Sequence, residues 1–470
     1  MCSHDQKTHQ QAVFAPRRAP DPGCQAARPL RVPQSQHGID RRLVSRHAIK
    51  VCDTLHEAGF EAYIVGGAVR DLIAGAQPKD FDIATNATPE QIQPLFRRAR
   101  IIGRRFRLVH VVFGQEIIET STFRAASSVE QTTDEHGRIL RDNVFGTLEE
   151  DAARRDFTLN ALYYDPATEI VIDYHNGVAD LKNRTVSIIG DAAKRYREDP
   201  VRMLRGMRFA AKLECTIAPA TLAPIRDMAG LIENVPASRL FDEMLKMLTC
   251  GHAMNCLRQL QKQGLHKGML PLLDVVLDQP GGERFVELAL ERTDQRVRAG
   301  KSVSPSFLFA ALLWQQVHVR WMQFREQGEV PMQALGLAVD SVLDDQTEKL
   351  AIQRRFVSDM REIWFMQPRF ERRLGKTAWR MIEQPRFRAA CDFLHLRAAA
   401  GEVDSDLAQW WMDLADADDS TRAAMLDDAA RQPRPAGEAS AKPRRKRRSN
   451  NKPRAESAGP NSGGAAPAAE

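Results

Sequence analysis

An α+β fold is predicted by three observations. Short apolar runs with strand composition, each closed by glycine or a polar turn, crowd into the region before about residue 185. Helical patterns fall between those runs, so the region combines a sheet with helices. After Lys194 the strand signal stops, and long amphipathic stretches continue to about residue 430.

In order, residues 1–40 are rich in Pro, Gln, Arg and Ala and read as a disordered extension. A helix builds from about Leu43 to His56 and stops at Gly59; EAYIVGG is a strand ending in a glycine pair, and AVRDLIAG restarts as a helix. KDFDIAT is a second strand. TPEQIQPLF follows as a helix, with Thr88 as N-cap and Pro89 at its first position. RLVHVVFG and EIIETSTFR are two more strands, and residues 127–143 form a polar loop. EEDAARRDFTLNALYYD begins helical, and TEIVIDYHNG is a strand ending at a turn. DPVRMLRGMRFAAKL, ASRLFDEMLKMLTCG and HAMNCLRQLQKQG are helices. The chain divides into a head at 41–185, a helical neck at 186–250, a helical body at 251–430 and a basic tail at 431–470.

Composition excludes several classes. A hydrophobic fraction of 43% suffices for a buried core, while no run of about 18 apolar residues suggests a membrane helix. The N-terminus has no apolar signal-peptide stretch, so a cytoplasmic location is expected. Cysteines at 2, 24, 52, 215, 250, 256 and 391 are scattered, odd in number and without CxxC spacing, which fits reduced thiols rather than a disulfide framework or zinc site. The net charge is +6, yet residues 431–470 alone hold ten Lys/Arg and three Glu, so the other 430 residues sum to about −1. RNA affinity in the folded part must come from local patches.

The chemistry centres on Asp80 and Asp82. Residues i and i+2 of a strand share a face, so the two carboxylates project together while Phe81 turns inward. Such a pair suits divalent metals that clamp the attacking and leaving oxygens of an in-line displacement, and Mg²⁺ needs only one or two carboxylates beside phosphate oxygens. Alone, a DxD is more often a polar turn. Context raises its weight: Gly66 and Gly67 end a strand and let backbone N–H groups approach a phosphate, and Arg70 follows within one helical turn. Neither GxGxxG nor a Walker loop is present, so dinucleotide binding and P-loop chemistry fit poorly.

The ordered series VGGAVRDLIAG, KDFDIAT, EIIETSTFR, EEDAARRDFTLNALYYD, DYHNGVADL and RYREDPVRMLRGMRFAAKL resembles the class II nucleotidyltransferases, the bacterial poly(A) polymerases and CCA-adding enzymes, from about Tyr63 to Leu248. The resemblance implies a polymerase-β-like head, two Mg²⁺ ions, ATP and RNA 3′ ends as partners, and roles in mRNA processing and RNA decay. It also implies that the neck reads the nucleotide base and that the body binds RNA. A monomer is expected. Two candidates stand for a third catalytic carboxylate: Asp156, favoured by its place in the RRDF block, and Glu119, on a strand able to lie beside DFD. Arg155 and Asn160 are expected near triphosphate or ribose, and Arg124 is a weaker candidate.

Asp199, Arg202, Arg205 and Arg208 fall at spacings of three and are expected along one helical face, with Met203, Leu204 and Met207 on the packing side. As a bland alternative this is a solvated charged stripe. A carboxylate with a guanidinium complements the amino donor and ring acceptor of adenine and rejects guanine and uracil, but cytosine presents the same pair. The motif therefore leaves A and C open. GRRFRLVHV, with Arg104, Arg105 and Arg107, and VPASRLFDEMLKML resemble the poly(A) polymerase branch; the alternatives are a CCA-adding enzyme and a catalytically inactive RNA-binding relative. Trp314, Trp321, Trp364, Trp379, Trp410 and Trp411 read as core more readily than as base-stacking platforms. The tail at 442–454, KPRRKRRSNNKPR, is expected to contact RNA phosphates.

Overall fold

A computed structural model describes residues 28–103, 107–125, 144–265, 283–350, 352–371, 373 and 376–431. The expectations for residues 1–27, Arg104 and Arg105, the loop at 127–143 and the tail beyond 431 lie outside the described residues.

The head is built on one eight-stranded sheet. Its strands are β1 (Leu30–Val32), β2 (Ala62–Val65), β3 (Asp82–Thr85), β4 (Ala99–Ile102), β5 (Leu108–Phe113), β6 (Glu116–Thr122), β7 (Leu162–Asp165) and β8 (Ile170–Asp173), in the order β1-β8-β7-β2-β3-β6-β5-β4. Every neighbouring pair is antiparallel except β3 and β6, which run parallel. That register sets Asp82 opposite Glu119 and Ala84 opposite Ser121.

Strand alternation covers both faces of the sheet. Phe81, Ile83, Ile64, Val109 and Ile118 pack with Val51, Leu55 and Val69 of the flanking helices. Val65, Ala84, Phe123, Tyr163 and Ile172 form a smaller cluster with Ala152. Asp82 shares the Ala84 side and so projects away from the larger core, whereas Asp80, expected on the same strand, lies just before it. Expected caps are present: Thr88 and Gln91 form a capping box with Pro89 at the first helical position. Asp173, buried in the DYHNG turn, accepts the N–H groups of His175, Gly177 and Val178 and starts the helix Gly177–Lys182.

The N-terminal boundary needs correction. A loose extension is expected through residue 40, but Leu30–Val32 pairs with β8 and Val32 is buried. His37 is also buried: its Nε2 bonds to the Glu169 carbonyl at 3.0 Å, and its Nδ1 accepts the Ile39 N–H. A three-residue edge strand requires so few apolar side chains that a Pro- and Arg-rich stretch can supply it.

The neck and much of the body share a single core. Leu204, Met207, Phe241, Met244 and Leu260 pack with Phe309, Trp314, Val339 and Trp364, so no core boundary falls near residue 250. A separate cluster, including Phe370, Phe387, Leu394 and Trp411, holds the last helices together. Four of the six tryptophans (314, 321, 364 and 411) are buried, as a core role requires, whereas Trp379 is exposed. Among the described residues no helix is long and apolar enough to cross a membrane.

Candidate active site

The catalytic edge begins where β2 meets the helix Gly67–Ile73. Gly66 sits at φ 72° and ψ −125°, a backbone region closed to side chains with a Cβ. The Gly66 N–H bonds to the Leu162 carbonyl, and an added Cβ would lie 3.5 Å from an Arg155 nitrogen. This turn therefore lies against the RRDF segment.

Asp80 precedes β3 and Asp82 opens it; both remain solvent-exposed, while Phe81 between them is buried. The surroundings still strip water from Asp82. That desolvation, followed by the negative charge of Glu119, pushes its carboxyl up to about 6 against the opposing pull of Arg155. Glu119 lies 3.3 Å from His110 Nε2. Among the described residues no three His, Cys, Asp or Glu side chains form a self-sufficient metal cage. Two exposed carboxylates with Glu119 level with Asp82 fit Mg²⁺, which takes its remaining oxygens from phosphate and water.

The third-carboxylate candidates separate here. Glu119 is level with Asp82 on the same face of the sheet. Asp156 is engaged elsewhere: its Oδ1 accepts the Phe157 N–H at 2.8 Å and Asn160 Nδ2 at 3.1 Å, and its Oδ2 accepts Arg205 Nε at 2.7 Å. Burial pushes the Asp156 carboxyl up, but Arg205, Asn160 and the Phe157 N–H together hold it below the usual range.

Arg70 also differs from expectation. It is predicted as a triphosphate clamp, but it is buried, donating Nε to Asp71 at 2.8 Å and Nη1 to Asn160 Oδ1 at 2.7 Å, with its guanidinium 5.2 Å from the Phe209 ring centre. All three of its guanidinium nitrogens already have a partner, Nη2 lying 2.7 Å from Asp71. Arg70, Asn160, Asp156 and Arg205 instead form a continuous polar chain from the glycine turn to the neck helix.

Beneath Arg155 lies a hub that sequence reasoning missed. Asp151 is 1% exposed, and accepts Tyr163 Oη at 2.7 Å, Arg154 Nε at 2.8 Å, Arg155 Nη2 at 3.0 Å and the Arg124 N–H at 3.2 Å. Burial alone would raise its carboxyl; Arg155, Arg154 and the Tyr163 hydroxyl hold it below its ordinary value. Arg155 also donates Nε to Tyr163 Oη at 2.9 Å. The available signal was spacing, since Asp151 stands three and four residues before two arginines, Arg154 capping its helix and Arg155 just beyond. From the neck, Arg195 Nη2 donates to the carbonyls of Arg154, at 2.7 Å, and of Arg155.

The arginine helix is Val201–Lys212, and Asp199 is not part of it. Asp199 is extended, at φ −152° and ψ 95°, and caps the preceding helix Ala192–Glu198; the expected single helical face is broken at Pro200. Arg202, Arg205 and Arg208 do share a side, and each finds an acid: Glu198 at 2.9 Å, Asp156 at 2.7 Å and Glu243 at 2.6 Å. Asp199 accepts Arg239 Nη2 at 2.9 Å, a partner supplied by VPASRLF. Met203, Leu204 and Met207 are fully buried, as predicted. Arg124 forms a bridge with Phe145, and Arg107 pairs with Glu90 at 2.5 Å.

The fold is that of the tRNA nucleotidyltransferases. The Thermotoga maritima CCA-adding enzyme complexed with tRNA matches with a TM-score of 0.52 at 17% identity, covering 82% of this chain and 86% of that one. A tRNA nucleotidyltransferase complexed with a primer tRNA and an ATP analogue gives a TM-score of 0.52 at 19% identity, covering 80% and 99%. Sequence relatives narrow the class. Poly(A) polymerase I of Salmonella typhi is 44% identical over 86% of this chain and 90% of its own length, and that of Haemophilus influenzae is 44% identical over 80% and 86%. The CCA-adding enzyme of Lactobacillus helveticus is 40% identical, but over only 43% of this chain and 49% of its own length. Residues 62–187 match the poly A polymerase head domain, 215–277 the probable RNA and SrmB-binding site of polymerase A, and 327–452 the polymerase A arginine-rich C-terminus. The chain belongs to the bacterial poly(A) polymerase family of nucleotidyltransferases.

Proposed function

We propose that this enzyme extends RNA 3′ ends with AMP from ATP, without a template and with release of pyrophosphate, and that Asp80, Asp82 and Glu119 form its metal-binding edge. The observation carrying the assignment is the parallel pairing that sets Asp82 beside Glu119, on the face opposite Phe81, with Asp82 pushed up to about 6. Held by these carboxylates and the triphosphate, two Mg²⁺ ions would acidify the 3′-hydroxyl and neutralise the leaving pyrophosphate.

The chain's own residues do the rest. The Gly66–Gly67 turn lets the triphosphate approach the backbone, and Arg155, fixed by Asp151 and Tyr163, presents positive charge behind it. Asp199 and Arg202 read the adenine edge, with Arg239 holding the Asp199 carboxylate. Asp156 acts as an organiser between Asn160 and Arg205. Poly(A) polymerase relatives matching 86% of the chain favour A addition over CCA addition, because sequence similarity to the CCA-adding enzyme spans less than half of it.

The test is nucleotide incorporation on a generic RNA beside a tRNA lacking its CCA end. Long oligo(A) made from ATP alone is expected on both; addition that stops after CCA would assign the chain to the CCA-adding branch. Asp80→Ala and Asp82→Ala should each lower turnover at least about a hundredfold while RNA binding persists. Near-normal activity in either would remove the metal assignment.

A further inference from the structure

The site just described does not use the cysteines, yet two of them meet. Cys250 follows the helix Ala237–Leu248, and Cys256 lies in the helix Ala253–Gln263. The connection turns at Gly251, whose φ of 86° folds the chain back on itself. That turn brings the two sulfurs to 3.6 Å, van der Waals contact. Both flanking helices pack against the arginine helix in the shared core, through Met244, Met247, Cys256 and Leu260.

We propose that Cys250 and Cys256 form a hydroperoxide-reactive dithiol, a modification site that closes to an intramolecular disulfide. Cys250 is half-buried and Cys256 fully buried, which assigns the roles: the accessible sulfur meets the oxidant and the enclosed one resolves the product. The Cys250 thiolate attacks one peroxide oxygen, breaking the O–O bond. It becomes a sulfenic acid, and the other oxygen leaves as water after protonation. Cys256, already in contact, then displaces hydroxide from that sulfur; the S–S bond forms and a second water departs with the Cys256 proton. Two thiols lose two electrons in total and the peroxide gains them.

The surroundings favour this order. The hydrogen bond shared with Cys256, then one involving the His252 backbone and the positive charge of Arg208, lower the Cys250 thiol against its burial and the charge of Asp294. Cys256 is shifted strongly the other way, its proton engaged by Cys250 and its sulfur buried. The remaining described thiols lack such a neighbour: Cys52 and Cys391 are buried and raised by desolvation, and Cys215 is half-buried and raised as well.

The experiment uses the reduced full-length chain, titrated with hydrogen peroxide and then alkylated. Met247–Arg258 contains both cysteines and no internal Lys or Arg, so one tryptic peptide reports the pair. That peptide should lose two hydrogens and both alkylation sites together, at least about tenfold faster than Cys215 is consumed, and regain them with a dithiol reductant. In Cys256→Ser, Cys250 should stop at a sulfenic acid that dimedone traps; in Cys250→Ser, Cys256 should stay reduced. Two outcomes overturn the proposal: both thiols remaining alkylatable after Cys215 has reacted, or Cys250 passing to a sulfinic acid while Cys256 stays free. Circular dichroism of each variant separates lost reactivity from lost folding.

Discussion

At the scale of single residues, Asp151 does the most with the least exposure. It compensates two guanidiniums and a phenol from a position sealed from solvent. Replacing it with Asn keeps the shape but leaves Arg154 and Arg155 without their buried counter-charge, a change costing about 3–5 kcal/mol. Because Arg155 lies behind the glycine turn, the same substitution should raise KM for ATP about tenfold or more. Its effect on kcat at saturating ATP should be smaller, a split that simple unfolding would not produce. The pH dependence has a definite sign. A carboxylate held below its ordinary 3.8 in the folded state binds its proton less readily than the unfolded chain does. Its stabilising contribution is therefore complete above the unfolded value and drains away as the pH falls through the folded one. Urea denaturation at pH 7 and at successive steps below pH 4 should show this loss in the parent and a flatter profile in Asp151→Asn; parallel profiles would place the acid sensitivity elsewhere.

Elements differ in how plainly the sequence announces them, and the difference has physical causes. The burial of Phe81 between exposed Asp80 and Asp82 was readable from a period of two, although the strand itself begins only at Asp82. The packing side of the arginine helix was readable for the same kind of reason, from Met203, Leu204 and Met207 at helical spacing. Pairings across long separations were not. Whether Glu119 or Asp156 stands beside Asp82 depends on which strand lies parallel to β3, and no local pattern encodes that. Arg70 looked like a clamp because its partner Asn160 is 90 residues away. Asp199 was placed on the arginine helix because spacing alone overlooks the break at Pro200. The DYHNG motif shows a further case, in which a glycine's function lies in the neighbour it touches. A Cβ on Gly177 would sit 2.3 Å from the Thr158 carbonyl oxygen, a backbone atom that cannot swing aside. Gly177→Ala should therefore destabilise the head by about 1–3 kcal/mol or more by forcing this turn away from the RRDF segment. Thermal unfolding beside Gly230→Ala, where φ is ordinary and an added Cβ meets nothing within 4 Å, isolates the clash. Equal losses in the two variants would mean that close approach is not what Gly177 provides.

For the whole molecule, charge is divided between a nearly neutral catalytic body and a cationic end. Residues 431–470 hold a net +7 while the other 430 sum to about −1, and eight of the basic residues fall within 442–454. The proposed metal-binding edge is itself acidic, so we assign phosphate holding to the cationic tail and nucleotide transfer to the head. On that assignment, shape and spacing at the head govern turnover, and the tail governs how long the RNA stays. Deleting residues 442–454 should weaken RNA binding at low salt. It should also flatten the dependence of log K on log salt by up to about 6, at roughly 0.7 per phosphate contact on a single strand. With RNA at saturating concentration, the first AMP should be added at nearly the parental rate, whereas long products should become rarer as the enzyme releases its RNA more often. Filter binding across a salt series, together with single-turnover addition of one nucleotide, resolves the two effects. An unchanged salt slope would transfer the phosphate contacts to the folded body, and a matching fall in the single-turnover rate would make the tail part of the catalytic apparatus instead of its tether.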